Sequence, residues 1–324
     1  MSTSVETADV ILRSGRTLRL RPPAAADQDA LAAFLSRLSP ESLRRRFFAT
    51  VRPDRELVGP YLDPNWSQRG ALIGTFHEDG VEQVIALASY ARLRDPRAAE
   101  VAFAVADDLH GVGIATGMLE QLAERSAAEG IERLVFEILP DNASMLAVVA
   151  GAGFDVARTI GNGVVEVSMS IESTGGYTAR VDERDHVAVA ASLTQFLDPA
   201  SVAVYGASSR RGTIGGELLR NIVSGGFAGP VYPVNRGGDA VAGVAGVRSL
   251  QGGELAVELA LICVPADAVL AAASDALAAG VRSLCVISAG FAEVGADGAA
   301  RQDRLLALVR AYGGRLIGPN CLGI

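Results

Sequence analysis

Near the carboxyl end of the sequence, four short apolar runs at residues 202–205, 231–234, 259–264 and 283–287 show no alternation of polar and apolar positions. A strand that is apolar on both faces has to be covered on both, and helices crossing between parallel strands do that. Stretches rich in Ala and Leu separate the runs, so the spacing predicts strictly alternating strands and helices in a parallel sheet that starts at Val202, just after Asp198 and Pro199. The rest of the chain follows a different pattern. Strand-like and helix-like segments lead up to Ile171, and residues 164–169 have the period of two of a half-buried strand. Between the halves, Glu172, Ser173, Thr174, Gly175 and Gly176 read as a linker, because adjacent glycines and short polar side chains favour unpacked backbone. The division is a first domain at 1–171, a linker at 172–189 and a second domain at 190–324, entered through an amphipathic lead-in with Leu193 and Phe196.

Composition narrows what such a chain does. With 324 residues, 49% of them hydrophobic, two ordinary cores can be filled. A formal net charge of −8 opposes a nucleic-acid partner, which needs a clustered positive surface. The one basic run, Arg44, Arg45 and Arg46, is expected to be the solvated face of a helix. Cys263, Cys285 and Cys321 have neither metal-ligand spacing nor a disulfide framework, which fits a reducing compartment and no metal. Apolar runs are broken by Gly, Pro or charge, and no leader-like segment opens the chain. A soluble, cytoplasmic protein that does not enter a membrane is expected.

Residues 99–115 read as a strand, a glycine turn and the start of a helix carrying Met118, Leu119, Leu122 and Ala123 on one face. Glycines let backbone approach a ligand closely, and the first turn of a helix offers unpaired N–H groups at the positive end of its dipole. An anion suits that place. The stretch resembles the pyrophosphate-binding signature of GNAT acetyltransferases, Arg/Gln-x-x-Gly-x-Gly/Ala, with His110, Gly113 and Ala115 at its fixed positions. Residues 130–138 are similar to that superfamily's next strand, and Asn142, Met145, Gly153 and Phe154 to the helix and turn that follow. The resemblance covers roughly residues 10–171. It implies an α/β domain with a mixed, largely antiparallel sheet, and acetyl-CoA held by Phe103, Ala104, Val105, His110, Gly111, Val112, Gly113, Ile114, Ala115, Thr116 and Asn142. The opening of the chain, from Leu18 to Pro23 with Asp27 and then residues 38–48, is similar to Pat-type protein lysine acetyltransferases.

Transfer of an acetyl group to an amine requires the nitrogen to lose its proton, because an ammonium has no lone pair with which to attack a thioester. Glu100, on the strand leading into the turn, sits where the Pat-type enzymes carry a catalytic glutamate, so the resemblance implies that it is the general base. Backbone N–H groups near Phe103 and Ala104 are expected to polarise the thioester carbonyl. Many relatives have a Tyr general acid where this chain has Val149, so the acid is left unassigned.

Residues 204–215 form a second strand, glycine turn and helix start. A nicotinamide nucleotide would call for an acidic residue at the end of the next strand, but Asn235 and Arg236 stand there, which better suits the 3′-phosphate of CoA. The strand ends together resemble the Rossmann-like CoA-binding domain of NDP-forming acyl-CoA synthetases and the succinyl-CoA synthetase α-subunit. That resemblance implies CoA contacts from Gly206, Ala207, Ser208, Gly212, Ile214, Gly215, Asn235, Arg236, Val264, Pro265, Ser288, Gly290 and Asn320. Cys263 and Cys321 read as small buried hydrophobes rather than nucleophiles. The synthetases work through a phosphorylated histidine in a later domain, whereas the histidines here are His77, His110 and His186. Ligation is therefore beyond these residues, and the chain is expected to be part of a longer protein. The reading that results is an acetyl-CoA-dependent N-acetyltransferase acting on protein lysines, for instance of an acyl-CoA synthetase-like enzyme. Two alternatives stay open: the leading part of an acetate–CoA ligase with an accessory GNAT domain, and a non-catalytic acyl-CoA sensor.

Overall fold

The structure is a computed structural model that describes residues 7–78, 81–161, 163–171, 175–253 and 255–322. Two compact units divide the chain, one formed by residues 1–76 and 83–189, the other by 77–82 and 190–324.

The first unit opens with strands β1 (Ala8–Ile11) and β2 (Thr17–Arg21), then helices α1 (Gln28–Arg37), α2 (Pro40–Phe47) and α3 (Arg55–Val58). Strands β3 (Arg69–Glu78), β4 (Val81–Arg92) and β5 (Ala98–Val105), helix α4 (Ile114–Ala128), strand β6 (Arg133–Ile138), helix α5 (Ala143–Gly151) and strands β7 (Val156–Gly161) and β8 (Val164–Ser170) follow. They build one eight-stranded sheet in the order β1-β2-β3-β4-β5-β6-β8-β7. Among pairings with a described register, β5 with β6 is parallel and the others in this sheet are antiparallel. Alternation along the strands sends side chains to two cores. Leu72 packs with Met118, Leu122, Phe136 and Met169 under α4, while its neighbour Ile73 packs with Leu31, Phe34 and Leu87 under α1. Met118, Leu119 and Leu122 are fully buried, and each such side chain contributes about 1.5–3 kcal/mol of transfer free energy. Gly117 lets α4 come down on the sheet, since a Cβ there would lie 2.9 Å from Val10 Cγ1.

Two local signals set α2. The Ser39 hydroxyl accepts the Ser42 N–H at 3.2 Å, and Pro40 occupies the first helical position, where a missing N–H costs nothing.

Helix α6 (Gly175–Leu197) precedes the second sheet. Residues 172–174 of the expected linker lie outside the described residues, and from Gly175 the expected linker is helical. Gly175 and Gly176, read as unpacked backbone, thus begin a helix, and beyond them the segment has neither Gly nor Pro to break it.

The second unit runs β9 (Val202–Tyr205), α7 (Ile214–Ser224), β10 (Val231–Val234), β11 (Leu259–Ile262), α8 (Ala266–Ala278), β12 (Ser283–Val286), α9 (Ala296–Ala311) and β13 (Arg315–Ile317). Its five strands are all parallel, in the order β10-β9-β11-β12-β13. Residues of β9, β11 and β12 are buried at every position, as expected for strands covered on both faces. One expectation fails. The described residues between β10 and β11 contain no helix, only turns and isolated bridges such as Val241 with Val244. Gly237, Gly238, Gly243, Gly246, Gly252 and Gly253 crowd that stretch, and glycine is a poor helix former. No helix among the described residues is long and apolar enough to cross a membrane.

Candidate functional site

In the first unit, β5 carries the chain to a 3-10 turn at Asp107–Leu109 and then through Gly111 and Gly113 into α4. Gly111 and Gly113 have φ of 81° and 98°, in the region that favours glycine, and nothing lies within 4 Å of where their Cβ atoms would be. Their requirement is conformational, and the side of the turn they face is open. The amides of Ile114, Ala115 and Thr116 start α4 with no acceptor inside the helix. Ile114 contributes only its backbone, because its side chain is in the core. The His110 ring points back, with Nε2 3.1 Å from the Val105 carbonyl oxygen, so it braces the strand end. Asn142 caps α5 by accepting the Met145 N–H at 3.2 Å, and Val149 is buried in the core.

Pairing of β5 with β6 covers only Ala98, Ala99 and Glu100. Beyond Glu100 the two strands part, which leaves one backbone edge of β5 from Val101 to Val105 without a sheet partner while the other edge stays paired to β4. Phe103, half-buried, stacks on Phe136 with ring centroids 6.2 Å apart, and Ala104 is buried toward α1. The open edge and the open turn are continuous in the chain. Together they offer the N–H donors that a thioester carbonyl and a pyrophosphate need.

Glu100 is exposed on β5 opposite Ala91 of β4. It lines a cleft of about 200 Å³ together with Arg46, Tyr61, Arg69, Ser89 and Tyr90. Here the basic run departs from expectation. Arg44 is exposed and pairs with Glu41 and Asp141 at 2.9 and 2.6 Å, and Arg45 pairs with Glu41 at 2.9 Å. Arg46 instead turns inward: its Nη2 donates to Tyr61 Oη at 3.1 Å and to Ser89 Oγ at 2.9 Å. Burial pulls its pKa below the ordinary guanidinium value, against the opposing pull of Tyr61 and Glu100. Helical phase could have found it, because Arg46 follows Leu43 by three positions and adjoins Phe47, both packed against the α1 core.

The predicted contacts of the second unit lie at the carboxyl ends of its parallel strands. Gly206 (φ 83°) follows β9, and a Cβ there would lie 2.8 Å from the Cys263 carbonyl oxygen after β11. A Cβ on Gly215, in the first turn of α7, would lie 2.5 Å from the Gly206 carbonyl oxygen. These two glycines bring helix and strand end together, and Ala207 is buried beside them. Ser208 Oγ accepts the Arg210 N–H at 3.2 Å, whereas Ile214 is an exposed apolar side chain. The Gly212 N–H is already used, donating to Glu217 at 2.8 Å, and Arg220 with that amide holds the Glu217 carboxyl down at about 2.

The remaining loops are tied in sequence. Ser288 Oγ donates to the Val264 carbonyl at 2.5 Å, and the Asn320 N–H donates to the Ser288 carbonyl at 3.0 Å. Pro265 caps α8, and Gly290 (φ 104°) is within 2.8 Å of Ala266 Cβ at its would-be Cβ. Asn235 closes its own turn on both amide atoms with Asp239 at 2.9 Å. Arg236 is exposed and makes no hydrogen bond or ion pair within the described residues. In a sheet of this order the connection from β9 runs one way, to β10, and that from its neighbour β11 runs the other way, to β12; ligands bind in the crevice between the carboxyl ends of β9 and β11. Gly206, Val264 and the α7 amides line that crevice, with backbone brought close by residues that lack a Cβ. That is the donor set a phosphorylated nucleotide requires. No group of three or more metal-ligating side chains occurs among the described residues.

These two sites define a chain that pairs an acetyltransferase-type unit with a nucleotide-binding parallel-sheet unit. The family models agree: residues 17–155 match the acetyltransferase (GNAT) domain and residues 200–324 the CoA binding domain, so the chain consists of a GNAT domain followed by a CoA-binding domain. Among curated proteins, the α-subunit of ADP-forming acetate–CoA ligase II of Pyrococcus furiosus is 36% identical over 132 residues, 41% of this chain and 29% of that one. An acetyltransferase of Pseudomonas aeruginosa is 25% identical over 144 residues, 44% of this chain and 77% of that one. Among solved structures, the GNAT domain of S. lividans PAT is 33% identical with a TM-score of 0.47, covering 51% of this chain and 96% of that one. The chain spans 18% of a trans-feruloyl-CoA synthase and 29% of the Pyrococcus subunit, so it corresponds to a minor part of its synthetase relatives. Both domains are of types that bind acetyl-CoA or CoA.

Proposed function

We propose that the first unit transfers an acetyl group from acetyl-CoA directly to an amine, with no covalent enzyme intermediate, and that the amine belongs to a protein lysine. The observation that carries this reading is the placement of Glu100: a carboxylate on the strand that leads to the phosphate turn, inside a cleft beside the open edge of β5. There it takes the proton of the incoming ammonium while the backbone N–H of Phe103, on the open edge, meets the carbonyl of the thioester; Ala104, in the hydrogen-bonded pair with Leu87, turns its N–H toward β4. CoA thiolate is a good leaving group near neutral pH, so the chemistry runs without a tyrosine at Val149. The resemblance of residues 18–23 and 38–48 to Pat-type protein lysine acetyltransferases supports lysine as acceptor. The second unit holds a CoA of its own at the crevice around Gly206 and Gly215.

Glu100→Gln keeps the shape of the cleft and removes the base. Acetyl-CoA binding is expected to persist while turnover at saturating amine falls about 10²–10⁴-fold. Turnover near the wild-type value at neutral pH overturns the assignment.

A further inference from the structure

Arg46 has five N–H donors, and the fold uses one nitrogen of the guanidinium. Nη2 makes both hydrogen bonds, to Tyr61 and Ser89, while Nε is shielded from solvent and has no partner. The head group lies 5.0 Å from the Phe47 ring centroid and 5.5 Å from that of Tyr61, in weakly polar surroundings. An arginine that only pinned α2 to β4 would be cheaper as an apolar residue, because a buried donor without an acceptor costs about 1–3 kcal/mol. The Arg46 side chain lines the same cleft as Glu100, and Arg69 stands at that cleft too. Two cations and one carboxylate leave a net positive charge where an amine has to be received. A neutral or cationic acceptor gains nothing from that excess; one that brings an anion gains a charge-assisted contact.

We propose that the acceptor carries a carboxylate beside its reacting amine, and that Arg46 binds this carboxylate while Glu100 receives the proton. The inference rests on the acetyl-transfer reading and adds the substrate class to it. On a peptide, the carboxylate can come from an acidic residue next to the lysine or from a lysine at the chain terminus.

The test compares four short peptides with the full chain and acetyl-CoA: an internal lysine between glycines, the same peptide with Asp next to the lysine, and a peptide ending in lysine as free acid and as amide. A carboxylate-bearing member is expected to exceed its neutral counterpart at least about tenfold in kcat/KM. Whichever pair shows the gain identifies the source of the carboxylate. In Arg46→Met the gain is expected to fall below about threefold. Ser89→Ala, which removes one anchor of Nη2, is expected to raise KM for the preferred peptide more than it lowers kcat. Equal kcat/KM across both wild-type pairs overturns the proposal and leaves acetyl transfer standing. Failure to acetylate any of the four, with acetyl-CoA still bound, overturns both.

Discussion

Asp107 accepts the backbone N–H of Ser39 at 2.7 Å, and so fastens the start of the helix that carries Arg46 to the strand end that leads into the glycine turn before α4. The same carboxylate also accepts hydroxyl hydrogen bonds from Ser39 at 3.1 Å and from Ser42. The cleft that Arg46 and Glu100 line and the glycine turn before α4 are therefore held in register through one side chain. Asp107→Ala is expected to cost about 1–2 kcal/mol in urea unfolding, the loss of two or three hydrogen bonds to a charged group at a partly exposed site. Because the helix then loosens at its capped end, KM for the amine should rise. An unchanged unfolding midpoint contradicts the bracing role.

Asp27 makes a two-pronged pair with Arg21, at 2.6 and 2.7 Å, and accepts the Ala24 N–H at 2.7 Å. The Arg21 hydrogen bond is the main reason its carboxyl lies below the usual range, with burial acting in the opposite direction. A depressed carboxyl stabilises the fold above the unfolded value of about 3.9, and that contribution disappears as pH falls through the folded value. Asp27→Asn should lower the urea midpoint at pH 6 and lose part of the acid-side slope below about pH 4. Parallel curves for variant and wild type across that interval count against it.

Gly113 has φ of 98° with open space at its Cβ position, so a substitution is strained even though nothing stands in its way. Gly113→Asp adds both strain and a negative charge at the amides of α4. KM for acetyl-CoA is expected to rise at least about tenfold, with the second unit's CoA binding unaffected in calorimetry. Unaltered KM would place the phosphates elsewhere.

In the second unit, preference among nucleotides checks the part assigned to Arg236. CoA should bind more tightly than dephospho-CoA, and both more tightly than NAD, in competition on the full chain with the first site disabled by Gly113→Asp. Arg236→Ala should narrow the gap between CoA and dephospho-CoA. Gly215→Ala, whose methyl would meet the Gly206 carbonyl at 2.5 Å, should abolish binding there. A preference for NAD refutes the cofactor assignment.

The second sheet was legible because burial on both faces leaves an unbroken apolar run. The run at 231–234 matches β10 residue for residue, and those at 259–264 and 283–287 overshoot only where Cys263, Val264 and Ile287 leave the strand for the loops. The missing helix between β10 and β11 was visible in its glycines, which the repeating pattern overrode. Glu100 is singled out by its place before the turn, and it lines the cleft. Arg46 could not be found from charge alone, because a run of three arginines averages over a helix whose faces differ every residue. The parting of β5 from β6 depends on pairing between residues 35 positions apart, as Glu100 and Val135 are, and local sequence carries no sign of it.

The thiols of the second unit have a practical consequence for watching this chain unfold. Cys285 Sγ lies 3.7 Å from Cys321 Sγ, and burial pushes both Cys263 and Cys285 up to about 12. Cys285 is buried, while Cys263 and Cys321, expected to be buried, are half-buried; protonated, Cys263 and Cys285 are slow targets for alkylating or disulfide-exchange reagents at neutral pH. Every cysteine of the chain lies beyond residue 262. The rate of thiol labelling thus becomes a clock for the opening of the CoA-binding domain alone, with the acetyltransferase domain silent to the reagent. Added CoA should slow that clock by stabilising the closed form.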